Sequence, residues 1–363
     1  MSNSHPEFPR KEKIRKATKC GWLFHMKGIE DVCHFDASLA ALGPGNCDYI
    51  LRRLEYRPLC APLEPATIRA ASGKEVEFHP IFLPVTSARM KEALDGNGVD
   101  SVRSLIRNGL TTAMELGCQV VSLGQYTSIV GLNGHRSGAA HIGITTGNSL
   151  TVVMAVEALK RAASDRGLVM ERSTAAVIGA SGSIGAACAT LLADRIGRLI
   201  LVGSKKPNAM ERLRQLSRNI ASRNCNSGFI EITTDIVEIR KAQIIVSAVN
   251  SSTPVLGAGE LHPGAVICDI SVPSSVSGGV SAVRPDVFVF QGGAVRLPGE
   301  EPVPIPGFPL AKGRVYACMA EGMLLALEGI RDHSFLGAPS ADNIERIGAS
   351  AARHGFTLAE FRQ

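Results

Sequence analysis

The stretch Ala175-Ala176-Val177-Ile178-Gly179-Ala180-Ser181-Gly182-Ser183-Ile184-Gly185 decides the fold. It opens on a short apolar run with β-branched residues, suited to a strand buried on both faces. Three glycines follow, and a helical pattern begins at Ala186 and runs to Leu192. Strand, glycine turn and helix form the phosphate-binding start of a dinucleotide fold. Gly179 allows the tight turn, Gly182 lets a pyrophosphate approach without meeting a Cβ, and Gly185 lets the helix pack close to the strand. The helix N-terminus offers free N–H groups and a positive dipole end to the phosphates. Ser181, Ser183 and Ile184 complete the expected cradle.

The spacing is G-x-x-G-x-x-G rather than the usual G-x-G-x-x-G, so the downstream text matters. Arg198 to Val202 reads as a second strand ending at Gly203-Ser204-Lys205-Lys206. That is about 20 residues past the last glycine, where a ribose-reading side chain belongs. A site for NADH places Asp or Glu there. Ser204, Lys205 and Lys206 instead offer a hydroxyl and two ammonium groups, which suit a 2′-phosphate and predict NADPH.

Outward from this turn, Phe229 to Ile232, Gln243 to Ala248, Ala265 to Ile270 and Val287 to Phe290 read as buried strands alternating with helices. The expected architecture is α/β, with a doubly wound parallel sheet of Rossmann type. Ligands in such sheets sit outside the carboxyl ends of the strands. Ser247-Ala248-Val249-Asn250 and Asp269-Ile270-Ser271-Val272-Pro273 lie at two such ends, and Gln291-Gly292-Gly293 closes the domain. Ala248, Val249 and Gly292 are therefore counted with the cofactor site.

A chain of 363 residues exceeds one small core. Residues 1–20 read as a flexible basic arm, with Arg10, Lys11, Lys13, Arg15, Lys16 and Lys19 close together. Residues 21–150 read as a separate α/β substrate domain, 151–295 as the nucleotide domain, and 296–363 as a helical C-terminal segment packing back. In the first domain the text to Pro65 is irregular, with turn signals at Gly43-Pro44-Gly45. Val76 to Phe82 and Gln119 to Leu123 read as strands, Ser101 to Gly117 as a helix, and Gly124 to Ser128 as a polar loop. Gly131 to Gly138 is glycine-rich, Ile142 to Thr145 is a short strand, and Ser149 to Ala163 is a bridging helix. In the tail, Pro302, Pro304, Pro306 and Pro309 mark a stiff connection. Arg314 to Leu327 and Asp342 to His354 read as helices.

Several classes are excluded. The nine cysteines show no C-x-x-C pair, which argues for reduced thiols in a cytoplasm rather than a disulfide framework or zinc site. No ligand cluster points to a metal. No apolar run approaches the ~18 residues of a membrane span. Aromatics are 5%, with no basic stripe among them, so nucleic acid is not the expected partner. From pattern alone the reacting group lies among Gln125 to Ser128, Thr145 to Asn148, or a thiol. A two-domain dehydrogenase of a small hydroxy or keto acid, and a non-catalytic nucleotide-binding partner protein, remain open readings at this point.

The segments Leu123-Gly124-Gln125-Tyr126-Thr127-Ser128-Ile129, Thr145-Thr146-Gly147-Asn148, Val177 to Gly185, Gln291 to Gly293 and Val315-Tyr316-Ala317-Cys318-Met319-Ala320-Glu321, with the tail Ile344 to Gly348 and Arg353 to Phe356, resemble the cyanobacterial long-chain acyl-[acyl-carrier-protein] reductases. The likeness runs in order from about Gly73 to Phe356. The resemblance implies reduction of an acyl thioester, carried by acyl carrier protein or coenzyme A, to an aldehyde with NADPH. It also implies a partner enzyme that consumes the aldehyde. The family's cysteine nucleophile falls on Cys318, a position that pattern alone would not select, since free cysteine is among the most buried residue types. Tyr126, Ser128, Thr146 and Asn148, with Thr145, are the donor-bearing residues in the matching loops and the candidates to meet an oxyanion. The first ~60 residues, the loop Gly131 to Gly138 and the proline-rich 302–309 segment depart from the family.

Overall fold

The computed structural model describes residues 17–57, 60–96, 98–131, 142–223, 229–251 and 253–361. The basic cluster from Arg10 to Lys16 and all of the glycine-rich Gly131 to Gly138 loop except Gly131 lie outside them.

The first sheet is built on β1 (Thr18–Met26). It also contains β2 (Ala61–Pro62), β3 (Ala66–Arg69), β4 (Glu75–Thr86), β5 (Val120–Leu123) and β6 (Gly143–Thr145), in the order β2-β4-β1-β5-β6 with β3 beside β4. β4, β1, β5 and β6 run parallel, while β2 and β3 are antiparallel to β4. The end of the stretch read as an arm is thus part of a strand: Lys19 sits in β1, paired with Glu77 at 2.8 Å. The segment to Pro65 is not irregular either. Helices occupy Ile29–Phe35 and Gly43–Leu54, the second with Pro44 in its first turn. Proline is tolerated there because that N–H has no intrahelical acceptor, so Gly-Pro-Gly starts a helix instead of a turn.

The second sheet comprises β7 (Thr174–Ile178), β8 (Arg198–Val202), β9 (Phe229–Thr233), β10 (Ile244–Ser247), β11 (Val266–Asp269) and β12 (Phe288–Gln291). Its order is β12-β11-β10-β7-β8-β9 and every pairing is parallel, the doubly wound arrangement expected. β7 shows why its text carries no polar alternation. Ala175 and Val177 pack into one core with Leu159, Cys188 and Leu192, while Ala176 and Ile178 pack into another with Ile200, Ile239 and Ile267. β9 is the least buried of these strands: it lies at the sheet edge and leaves Phe229 65% exposed.

The C-terminal segment is not wholly helical. β13 (Ala294–Arg296), β14 (Arg314–Tyr316) and β15 (Thr357–Leu358) form a small antiparallel sheet around β13. Between its strands run the helices Ala317–Glu328 and Ala341–His354. Met319, Ala320, Met323 and Leu327 of the first share a core with Trp22, Phe24 and Phe78 of the first sheet. The second closes on the same domain, where the Ala71 N–H donates to the His354 carbonyl at 2.9 Å. The helix Asn148–Asp165 lies between the two cores and gives Leu150 to one and Val152 and Leu159 to the other.

Candidate active site

A cleft of about 280 Å³ opens along the carboxyl ends of β7, β10, β11 and β12, where the sheet order reverses. One wall is the glycine turn. Gly179 has φ +81°, and a Cβ on it would collide with the Ala248 carbonyl; one on Gly185 would collide with the Gly179 carbonyl. Those two glycines bring turn, strand end and helix into contact. Gly182 does different work: it lines the cleft, and its Cβ position is open except for the Gly179 oxygen at 3.3 Å. It precedes the helix Ser183–Ala193, and no side chain caps that helix. An uncapped N-terminus facing a cleft beside a missing Cβ fits a dinucleotide pyrophosphate.

The strand ends on the opposite wall are fixed by a buried carboxylate. Asp269 accepts from the Ser271 and Ser275 N–H groups at 3.0 and 2.8 Å and from the Ser275 hydroxyl at 2.9 Å. The Val249 N–H donates to the Ser271 hydroxyl at 3.0 Å, which ties the two strand-end loops together. Asp269 therefore shapes the cleft rather than lining it.

Cys318 stands on the far side. Its helix starts later than the continuous Arg314 to Leu327 pattern suggested. β14 ends at Tyr316, and Cys318 is the second residue of the helix that follows. It is partly buried and lines the cleft together with Gly182, Ser183, Ala248, Val249 and Gly292. Burial pushes its thiol up to about 12, and Glu321 adds to the rise. The backbone N–H groups of Met319 and Cys318 and the Trp22 indole pull in the other direction. The backbone here is crowded: Gly147 has φ +72°, and a Cβ on it would collide with Cys318 Cα. The Ser122 hydroxyl donates to the Cys318 carbonyl and pins the helix start to β5.

Glu321 is the group the sequence reading passed over. It is fully buried one turn beyond Cys318. One carboxylate oxygen accepts from the Thr145 hydroxyl and the other from the Leu150 N–H at 2.6 Å. A carboxylate thus caps the helix Asn148–Asp165 from another helix, where its charge meets the positive dipole end. Burial raises its pKa to about 7, opposed by the Thr145 hydroxyl and the N–H groups of Leu150, Gly147 and Ser149.

The other candidates divide. Tyr126, Ser128, Thr146 and Asn148 line the same cleft as Cys318. Gly124 to Ser128 is only partly a loop, since a helix starts at Tyr126. Three of the four polar groups already donate to carbonyls: Ser128 to Gln125 at 2.7 Å, and Thr146 and Asn148 to Gly337 at 3.3 and 3.2 Å. Ser181 does not line the cleft. Ser204, Lys205 and Lys206 line a separate surface depression with Arg214 and Thr234, just beyond the end of β8.

No protein-family model matches the chain. It is similar to aminotransferase PigE of Serratia sp., 29% identical over 299 residues that cover 81% of this chain and 34% of that protein. The chain therefore spans about a third of PigE's length. It is also similar to the long-chain acyl-[acyl-carrier-protein] reductase of Synechococcus elongatus, 25% identical over 335 residues covering 86% of this chain and 92% of that protein. Among solved structures, the glutamyl-tRNA reductase of Methanopyrus kandleri overlaps 80% of this chain and 68% of its own, at 16% identity and a TM-score of 0.31.

Proposed function

We propose that this chain is an NADPH-dependent oxidoreductase that converts an acyl thioester to an aldehyde through an acyl group held on Cys318. The observation that carries the reading is the placement of one thiol, at a helix N-terminus, in the same cleft as the uncapped glycine turn. The similarity to an acyl-[acyl-carrier-protein] reductase along nearly its whole length supports it.

In this reading Gly182, Ser183 and Ile184 hold the pyrophosphate, Ala248, Val249 and Gly292 line the path of the nicotinamide half, and Ser204, Lys205, Lys206 and Arg214 receive the 2′-phosphate. The bound cofactor supplies the hydride. Cys318 sulfur attacks the thioester carbonyl, and its proton leaves with the departing carrier thiol, so one thioester replaces another. After hydride reaches the acyl carbon, the C–S bond breaks, the aldehyde departs and the sulfur regains a proton. The Met319 and Cys318 N–H groups stabilise the sulfur whenever it carries charge. Glu321 holds Gly147 and the start of the bridging helix against Cys318, acting as a positioning residue. Acyl carrier protein or coenzyme A is the carrier. An aldehyde is also what an aminotransferase consumes, and the similarity to a third of PigE is consistent with such a partner enzyme.

The test withholds NADPH. Incubation with an acyl thioester should add one acyl mass to a Cys318 peptide, and Cys318→Ser should abolish it. A protein that stays unmodified yet oxidises NADPH with a keto acid overturns the reading.

A further inference from the structure

Away from the cleft, three side chains from distant parts of the chain meet in line: Ser72, His354 and Glu328. Ser72 stands on the tight turn between β3 and β4, His354 ends the helix Ala341–His354, and Glu328 ends the helix Ala317–Glu328. His354 Nδ1 lies 2.7 Å from the Ser72 hydroxyl, and its Nε2 lies 3.2 Å from Glu328 Oε1. The ring is wholly buried, whereas Ser72 is exposed. None of the three lines the cleft.

The arrangement is held from several sides. The Ser350 hydroxyl donates to Glu328 Oε1 at 3.0 Å, and Arg353 forms an ion pair with the same oxygen. Gly73, at φ +78°, closes the turn with its N–H on the Ala70 carbonyl at 2.9 Å. Gly355 lets the turn and the helix end meet, since a Cβ on it would lie 2.7 Å from Ala71 Cβ. Lys74 is fixed on the Leu327 carbonyl at 2.8 Å. Burial works against the charge on Glu328, but the Ser350 hydroxyl, Arg353 and His354 together hold its carboxyl below the ordinary range. Burial lowers the His354 pKa; Glu328 opposes the drop, and Lys74 and Arg353 add to it. At neutral pH the acid is therefore ionised and the ring neutral. An ionised carboxylate only accepts, so the one ring proton sits on Nε2. That leaves Nδ1 as an acceptor, and the Ser72 O–H donates to it.

A hydroxyl donating to a neutral imidazole whose other nitrogen is held by a carboxylate is the arrangement that makes a serine nucleophilic. The geometry points to a second reactive centre in this protein, with Ser72 as an acyl-accepting nucleophile, His354 as its general base and Glu328 as the residue that orients the ring. Ser72 oxygen bonds to the carbonyl carbon of an ester while its proton passes to His354 Nδ1. That proton leaves on the departing alcohol. Water activated in the same way then frees the serine and releases a carboxylic acid. The charges on Lys74 and Arg353 favour the negative oxygen that forms on the carbonyl. The exposed turn suits small, unhindered esters. This activity is hydrolytic, uses no nucleotide, and does not depend on the thioester reading of the cleft.

The full chain, without nucleotide, is incubated with a small alkyl fluorophosphonate, which phosphonylates an activated serine hydroxyl and expels fluoride. Peptide mass spectrometry should find the adduct on Ser72. Ser72→Ala should remove both the adduct and the steady-state turnover of p-nitrophenyl acetate. The labelling rate should rise as His354 loses its proton, reach half its maximum below the pH 6.5 of an ordinary imidazole, and level off by pH 8. His354→Gln and Glu328→Gln should each slow labelling about a hundredfold or more, the usual effect of losing a general base. A hydrogen-bonded joint without reactivity would lower stability in these variants yet leave Ser72 unlabelled in the unaltered protein. Absence of the adduct or of ester turnover, or labelling at the unaltered rate in a folded His354→Gln protein, overturns the assignment. Where that variant does not fold, the pH profile of the unaltered protein decides: a rate that climbs to pH 9 without a plateau overturns it.

Discussion

Glu321 Oε2 accepts the Leu150 N–H at 2.6 Å, across 171 residues of sequence, deep in the core and one turn from Cys318. That contact joins the helix bearing the thiol to the helix that bridges the two sheets. It makes the geometry of the cleft depend on one buried acid.

Because burial lifts the Glu321 pKa from the 4.5 of a solvated glutamic acid side chain to about 7, this acid is a source of pH dependence. A group whose folded pKa lies above its unfolded value adds stability that is complete below the unfolded pKa and is lost as pH rises through the folded one. Stability should therefore fall between pH 4.5 and 7, by about 3 kcal/mol from this group. Urea unfolding followed from pH 5 to 8 should show the decline, and Glu321→Gln should flatten it. A variant with an unchanged slope would show that Glu321 is not its origin.

The Cys318 thiol, pushed up to about 12, is poorly ionised in the resting protein. Its alkylation by iodoacetamide should be far slower than that of a free cysteine at pH 7, and should climb about tenfold per pH unit to pH 9 without levelling. Peptide mass spectrometry separates it from the other cysteines. A plateau near pH 8 would mean that the helix N-terminus and Trp22 outweigh burial.

Gly147→Ala should be among the more damaging single changes available. The added methyl collides with Cys318 Cα, and φ +72° disfavours alanine even without the collision. Destabilisation of about 3 kcal/mol or more is expected in urea unfolding, with loss of Cys318 acylation. Near-normal stability would show that the two helix starts can move apart.

Replacing Lys205 and Lys206 together by alanine should weaken NADPH binding by about 1–3 kcal/mol, the worth of charge-assisted contacts to a phosphate, and leave NADH binding almost unchanged. Titration of both cofactors reads this directly. Equal losses for the two would place the 2′-phosphate elsewhere.

The sequence revealed the nucleotide half more fully than the cysteine half. The β7 text, three glycines and the following helix form a local pattern in which each residue's role depends on its immediate neighbours. The helix bearing Cys318 was harder to delimit. No Gly, Pro or polar cap separates Arg314 from Ala317, and β14 exists because Val295 of β13 pairs with Val315. The likeness of the Ala317 to Glu321 segment pointed to Cys318, while Glu321 sat in the same segment unread. In an apolar helical stripe a single carboxylate looks like a solvated residue until the chain brings Leu150 to meet it. Trp22 was likewise read only as a sign of ordered structure, since its relation to Cys318 depends on the β1–β5 pairing. Thr146 and Asn148 line the same cleft as Cys318, but their engagement with Gly337 is visible only in three dimensions.

The central claim is that the acyl group on Cys318 is an intermediate and not a by-product. The most direct measurement isolates protein acylated in the absence of cofactor, removes free thioester, and then adds NADPH in a single turnover. One aldehyde should form per acylated Cys318, one NADPH should be oxidised, and the free thiol should return. Release of the acyl group as free acid with no oxidation of NADPH, or persistence of the adduct, would contradict the account.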